Sequence, residues 1–153
     1  MKICVSVGIY DAFEDANISS EIIKNNWPKN SELFLIAGLT KKDTKQHLSK
    51  NFSKSIYINT PKTHFYKKNK ENVVIQRSLR VFESIIKTGI EAIKHDCDYI
   101  VYLSAGSWIL EPKKLIKIIS KMKNKTFGVR IANRSKYLLV DDHFLIVNLK
   151  KAK

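Results

Sequence analysis

Strict alternation of apolar residues opens the chain. In KICVSVGI, Ile3, Val5, Val7 and Ile9 recur with the period of two that predicts a β-strand, ended by Gly8 and the following Tyr10 and Asp11. Several capping residues between Asp15 and Ser20 precede SEIIKNNW, where Ile22, Ile23 and Trp27 share one helical face until Pro28 stops the helix. A second buried strand is expected over Glu32–Gly38. Thr40 and Asp43 then resemble a capping box that opens a short helix through His47, Leu48 and Phe52. Ser55–Asn59 reads as a third strand. The polar segment Thr60–Asn72 is a long loop.

The longest periodic segment follows. From about Val74 to His95, Leu79, Phe82, Ile86, Ile90 and Ile93 recur at three- and four-residue steps, which predicts a helix whose apolar stripe lies against a sheet. It leads into DYIVYLSAGSWIL, Asp98 to Leu110. Tyr99–Leu103 has the composition of a strand buried on both faces, and Ser104, Ala105, Gly106 and Ser107 are small enough for a ligand to approach the backbone before Trp108 closes the gap. Pro112 opens another helix at the first helical position. Thr126–Ile131 is a fifth strand, and Tyr137–Val140 with Phe144–Val147 is expected to be a closing pair separated by Asp141, Asp142 and His143. Strands alternating with helices predict an α/β fold: three layers, a mainly parallel (mixed) central sheet and helices on both faces.

Composition sets the bounds. With 153 residues, 44% apolar and 27% charged, the expectation is one soluble domain spanning residues 1–153 and no membrane span. The N-terminal run meets acidic residues at once and has no small-residue cleavage site, so it reads as a strand rather than a leader. Cys4 and Cys97 lack metal-ligand spacing and are expected to be reduced thiols near the starts of two strands, in a cytoplasmic protein. The net charge of +14 suits an anionic partner, but only Arg77, Arg80, Arg130 and Arg134 among the 28 basic residues are arginines, the type best shaped for phosphate or base recognition. A solvated lysine surface and contact with an anionic membrane at the inner face are the two main readings of that charge.

The order of elements resembles a GT-A-type glycosyltransferase, the family 2-like nucleotide-diphospho-sugar transferases. VSVGIYD resembles the family's first strand and turn, CDYIVYLSAGSWIL its strand leading to an acidic DxD motif, and EPKKLIKII the helix that follows. The resemblance implies a transferase in surface polysaccharide synthesis, moving a sugar from a nucleotide-diphosphate sugar to a glycan or lipid-linked acceptor. It also implies Mn2+ or Mg2+ on the diphosphate. The positions matching the two carboxylates are Ser104 and Gly106, and a family Asp that pairs with the base falls near Ala37, with Asp43 downstream.

Donor-binding candidates are therefore Gly8, Tyr10, Asp11, Arg77, Arg80, Ser104, Gly106, Ser107 and Trp108, with Lys67, Lys68 and Lys70 as further cations to offset the diphosphate. An inverting transferase needs a carboxylate to deprotonate the acceptor. Asp141 or Asp142 suits that role, with His143 as a metal or phosphate ligand, and a plain β-turn is the competing reading of the same three residues. Two other functions stay open at this point: a GT-A-like binding or assembly module without the reaction, and a single-stranded nucleic-acid binder using His64, Phe65 and Tyr66 beside their lysines. No helix-turn-helix, zinc-finger or RNP pattern supports the latter.

Overall fold

The computed structural model describes the backbone of residues 1–40, 42–58, 70–134 and 137–152, and side chains except at 41–44, 59–78, 130–143 and 153. Six strands form one sheet in the order β3-β2-β1-β4-β6-β5. The strands are β1 (Lys2–Ile9), β2 (Glu32–Leu39), β3 (Lys54–Tyr57), β4 (Tyr99–Ser104), β5 (Phe127–Arg134) and β6 (Tyr137–Asn148). The first four are parallel to one another, whereas β6 runs antiparallel to both β4 and β5. Helices α1 (Phe13–Asn25), α2 (Lys70–Lys94) and α3 (Pro112–Lys121) complete an α/β fold, with a short 3-10 helix at Lys42–His47.

Each face of the sheet has its own core. On one, alternate residues Ile3, Val5, Val7 and Ile9 of β1 pack with Leu35, Ala37 and Leu39 of β2 and Tyr99, Val101 and Leu103 of β4, beneath Ala16 and Ile23 of α1 and Leu115 and Ile119 of α3. On the other, the intervening positions of β1 are smaller: Cys4, Ser6 and Gly8. Cys4, Ile36, Ile100 and Val147 meet Ala92 of α2, and Ser6 Oγ donates a 2.9 Å hydrogen bond to Thr88 Oγ1.

Helix α2 is where expectation and structure part. Its large apolar residues do not lie against the sheet: Leu79, Phe82, Ile86, Ile90 and Ile93 are all exposed, while Ser84, Thr88, Glu91 and Ala92 are buried. The reason is space. Gly38 leaves room beneath the helix that a side chain would fill, since a Cβ there would sit 2.7 Å from Ser84 Oγ. Small residues on the helix and on the sheet thus meet at close range, and the large ones are left outside.

Smaller differences have local causes. Helix α1 begins at Phe13, ahead of the expected caps, and Ala12 makes no side-chain cap; Glu14 and Asp15 instead place negative charge in its first turn, where the helix dipole favours it. It ends at Asn25, before Trp27 and Pro28, and the Asn26 N–H and side-chain amide both donate to Ile22 O. Residues 141–143 are not a turn. Strand β6 continues through them and itself carries the irregularity: Val129 of β5 pairs with Leu145 and the next residue, Arg130, with Asp141, so residues 142–144 are the extra ones on β6. The expected loop at 60–72 lies mostly outside the described residues.

The N-terminal edge of the sheet is pinned by Asp98, which accepts hydrogen bonds from Lys2 N–H at 2.8 Å and Lys150 Nζ at 2.5 Å. Burial disfavours its charged form, yet these donors prevail and hold the carboxyl below its usual range. Nearby, Cys4 and Cys97 are both buried and free, as expected. The Cys97 thiol donates to His95 O at 3.9 Å, and the neighbouring Cys97 sulfur together with burial pushes the Cys4 thiol upward.

Candidate functional site

The chain runs from β1 outward to β2 and β3, then returns across β1 to place β4 on its other side. Open α/β sheets receive ligands in the crevice outside the C-terminal ends of the strands at such a reversal, here β1 and β4. Most of the sequence-predicted donor residues come together there.

Two short loops form its walls. After β1, Phe13 N–H bonds to Asp11 O at 3.0 Å as the chain turns into α1, and the Thr40 hydroxyl from the end of β2 reaches Tyr10 O at 3.5 Å. Thr40, expected as a helix cap, thus ties two loops together. After β4, Ser107 N–H donates to Ser104 O at 2.8 Å, closing a tight turn in which the two serine hydroxyls lie 3.2 Å apart. Ala105 N–H donates to Gly8 O at 3.0 Å and joins the loops at their base.

The two glycines have different reasons to be there. A Cβ at Gly8 would overlap the Tyr102 hydroxyl, so this position is small because a ring on β4 lies over it. Tyr102 was not singled out from the sequence, although its two-residue spacing from Ile100 places it on the α2 face of β4 and so over β1. At Gly106 nothing lies within 4 Å of where a Cβ would be, so the loop presents open backbone on that side.

Charge and aromatic surface converge above these loops. The Arg80 guanidinium of α2 sits 4.6 Å from the centroid of the Tyr10 ring, a cation–π contact that fixes a positive group over a half-exposed tyrosine. Past the β4 turn, Ile109 is buried while Trp108 is 44% exposed, so the indole is available as a wall rather than consumed in the core. Arg80 reaches the crevice because α2 packs closely on β1 and β2 through its small face.

Other predicted residues have different fates. Ala37 is wholly buried in the core of the α1 and α3 face and cannot read a base. The side chains of Asp43, Lys70, Arg77, Asp141, Asp142 and His143, and residues 60–69 with Lys67, Lys68 and the His64–Tyr66 cluster, lie outside the described residues. The backbone of β6 does locate the acidic segment. Phe144 is paired with Leu103, so His143 and Asp142 fall where β4 ends and its loop begins.

A divalent cation on a diphosphate calls for paired hard oxygen ligands. Ser104 and Gly106 supply one hydroxyl and no side chain, and among the described residues no group of three or more His, Cys, Asp or Glu is placed to hold a metal. The β4 loop by itself does not fit such an ion.

No family model matches the sequence, and no curated protein matches it. The fold does have solved counterparts. The chain is similar to the galactosyltransferase LgtC in complex with donor and acceptor sugar analogues, at a TM-score of 0.58 and 12% identity over 97% of this chain and 59% of LgtC. The LgtC active-site mutant Q189E gives 0.62 and 13% over 97% and 58%. CMP:2-keto-3-deoxy-manno-octonic acid synthetase complexed with CTP follows at 0.54 and 7%, over 98% of this chain and 75% of that one. At such identities these likenesses establish a shared fold, that of GT-A-type glycosyltransferases and nucleotidyltransferases. The chain spans less than two thirds of the length of LgtC.

Proposed function

We propose that the chain binds a nucleotide-diphosphate sugar in the crevice beyond β1 and β4 and transfers the sugar to a hydroxyl of a glycan or lipid-linked acceptor. The observation that carries this reading is the convergence of Tyr10, Arg80, Ser104, Gly106, Ser107 and Trp108 at the topological reversal of a GT-A-like sheet. Two solved structures of this fold hold donor and acceptor sugar analogues or CTP.

The geometry suggests a division of labour. Tyr10 and Trp108 offer half-exposed rings on either side of the crevice, suited to stacking against a base or a sugar. Open backbone at Gly106 and the paired serine hydroxyls let a diphosphate approach closely, and Arg80 supplies a fixed positive charge toward the leaving group, where developing charge has to be offset. Deprotonation of the acceptor falls to Asp141 or Asp142, carried on β6 to the end of β4, with His143 beside them as a phosphate or metal ligand. These three residues are also the candidates for any Mn2+ or Mg2+ requirement.

Thermal denaturation against a panel of nucleotide sugars, with and without Mn2+, tests the reading. A ligand that binds only the folded chain raises its melting temperature, and at least one donor is expected to do so. Arg80→Ala is expected to weaken that donor by about three- to tenfold, as loss of an exposed cation–π pair and its charge would. Absence of a shift with every donor overturns the proposal. A shift without turnover of any acceptor would retain the binding site and remove the transfer step.

A further inference from the structure

We infer that the outer face of α2 is a self-association surface, on which two copies of this chain pair antiparallel about a two-fold axis passing at Ile86. This rests on observations separate from the nucleotide crevice. Leu79, Phe82, Ile86, Ile90 and Ile93 lie on the side of α2 away from the buried Ser84, Thr88 and Ala92, and their exposures run from 42% to 62%. Such a stripe is costly to leave in water, and apolar patches of this extent on a soluble chain mark contact surfaces.

The spacing of the stripe identifies its occupant. Successive members are separated by three, four, four and three residues, a series that reads the same from either end and has Ile86 at its centre. An antiparallel copy in that register sets Leu79 opposite Ile93 of the second copy, Phe82 opposite Ile90, and Ile86 opposite itself. Every large residue then meets another. This is the self-complementary arrangement that a two-fold interface requires. Phe82, the most exposed member, also meets a hollow, because Gly89 next to Ile90 has nothing within 4 Å of where its Cβ would be.

Charge permits the pairing. The chain carries +14, which would oppose self-association over most of its surface, but the segment from Leu79 to Ile93 holds two basic residues, Arg80 and Lys87, and two acidic ones, Glu83 and Glu91. Glu83 and Lys87 neutralise each other at 2.8 Å on the flank of the stripe, and Arg80 is engaged with Tyr10. Size agrees as well. The stripe is about 21 Å long by helical rise. Its five side chains expose about 500 Å² per copy, so two copies would bury about 1,000 Å², the lower bound for a specific interface.

Sedimentation of the chain over a range of concentrations up to hundreds of micromolar tests this. The expected species has twice the 17.7 kDa of one chain, and Ile86→Glu, which sets like charges against each other at the axis, is expected to weaken it by about 100-fold. Since Ile86 is exposed within one copy, the variant should keep the melting temperature of the isolated chain. Under mild oxidation, Ile86→Cys should form a disulfide-linked dimer with itself. Leu79→Cys should cross-link with Ile93→Cys in a mixture and not with itself. A chain that stays monomeric throughout, leaving the stripe to some other protein segment, overturns the inference. So does a dimer indifferent to Ile86→Glu, or self-linking by Leu79→Cys.

Discussion

The two faces of the central sheet are built on opposite plans. Beneath α1 and α3 the sheet presents Ile, Val and Leu, and the helices answer with Ile23, Leu115 and Ile119, so large apolar residues fill the space between layers. Beneath α2 it sets Ser6, Gly8 and Gly38 among Ile36 and Ile100, and the helix answers with Ser84, Thr88 and Ala92. The first face derives its stability from buried apolar area. The second trades area for closeness, which brings Arg80 over Tyr10 at the crevice and turns five large residues outward. Amphipathicity therefore marks which side of a helix is apolar without saying which side meets its own sheet.

Substitutions that remove the same atoms from the two faces should separate them most sharply. Ile119→Ala in α3 deletes a fully buried side chain and is expected to destabilise the chain by about 2–5 kcal/mol in chemical denaturation. Ile86→Ala in α2, with equal loss of volume, should change the stability of the isolated chain by under about 0.5 kcal/mol. Equal losses at the two positions would break the comparison. A smaller effect follows from closeness itself. Gly38→Ala drives a Cβ against Ser84 Oγ and should cost about 1–3 kcal/mol, of which Ser84→Ala in the same chain recovers a substantial part. Gly106→Ala marks the lower end of the scale. Its neighbourhood is open and its φ is not positive, so it should alter stability by under about 0.5 kcal/mol while narrowing the crevice.

Much of this architecture is legible in the sequence. The alternation of Ile3, Val5, Val7 and Ile9, the buried run Tyr99–Leu103 and the Pro112 helix start each specify an element that the fold contains, because period and propensity agree locally. The crevice is legible too, since placing β4 next to β1 makes the Gly8–Asp11 and Ser104–Ser107 loops neighbours. Helix α2 is different. Its long apolar period predicts a buried face, whereas a second series, Ser84, Thr88 and Ala92 at four-residue spacing, marks the side able to approach the small residues of β1 and β2. Asp141, Asp142 and His143 differ in the same way: three polar residues suggest a turn, but a strand that outruns its neighbour can carry them. In both cases the decisive fact was the partner across the contact, which a local pattern does not contain. The Arg80–Tyr10 contact is of the same kind, since it joins positions seventy residues apart.

The central claim is that the crevice beyond β1 and β4 receives a nucleotide. The most direct measurement is a titration of the 15N-labelled chain with nucleotide sugars, followed by backbone amide shifts. The account predicts that the largest shifts fall on Tyr10, Asp11, Arg80 and Ser104 to Trp108, while the Asp98 and Lys150 anchor at the opposite edge stays unmoved. Shifts concentrated elsewhere, such as the groove lined by Phe13, Asn17 and His47 beside α1, or no saturable shifts with any nucleotide sugar, would contradict it.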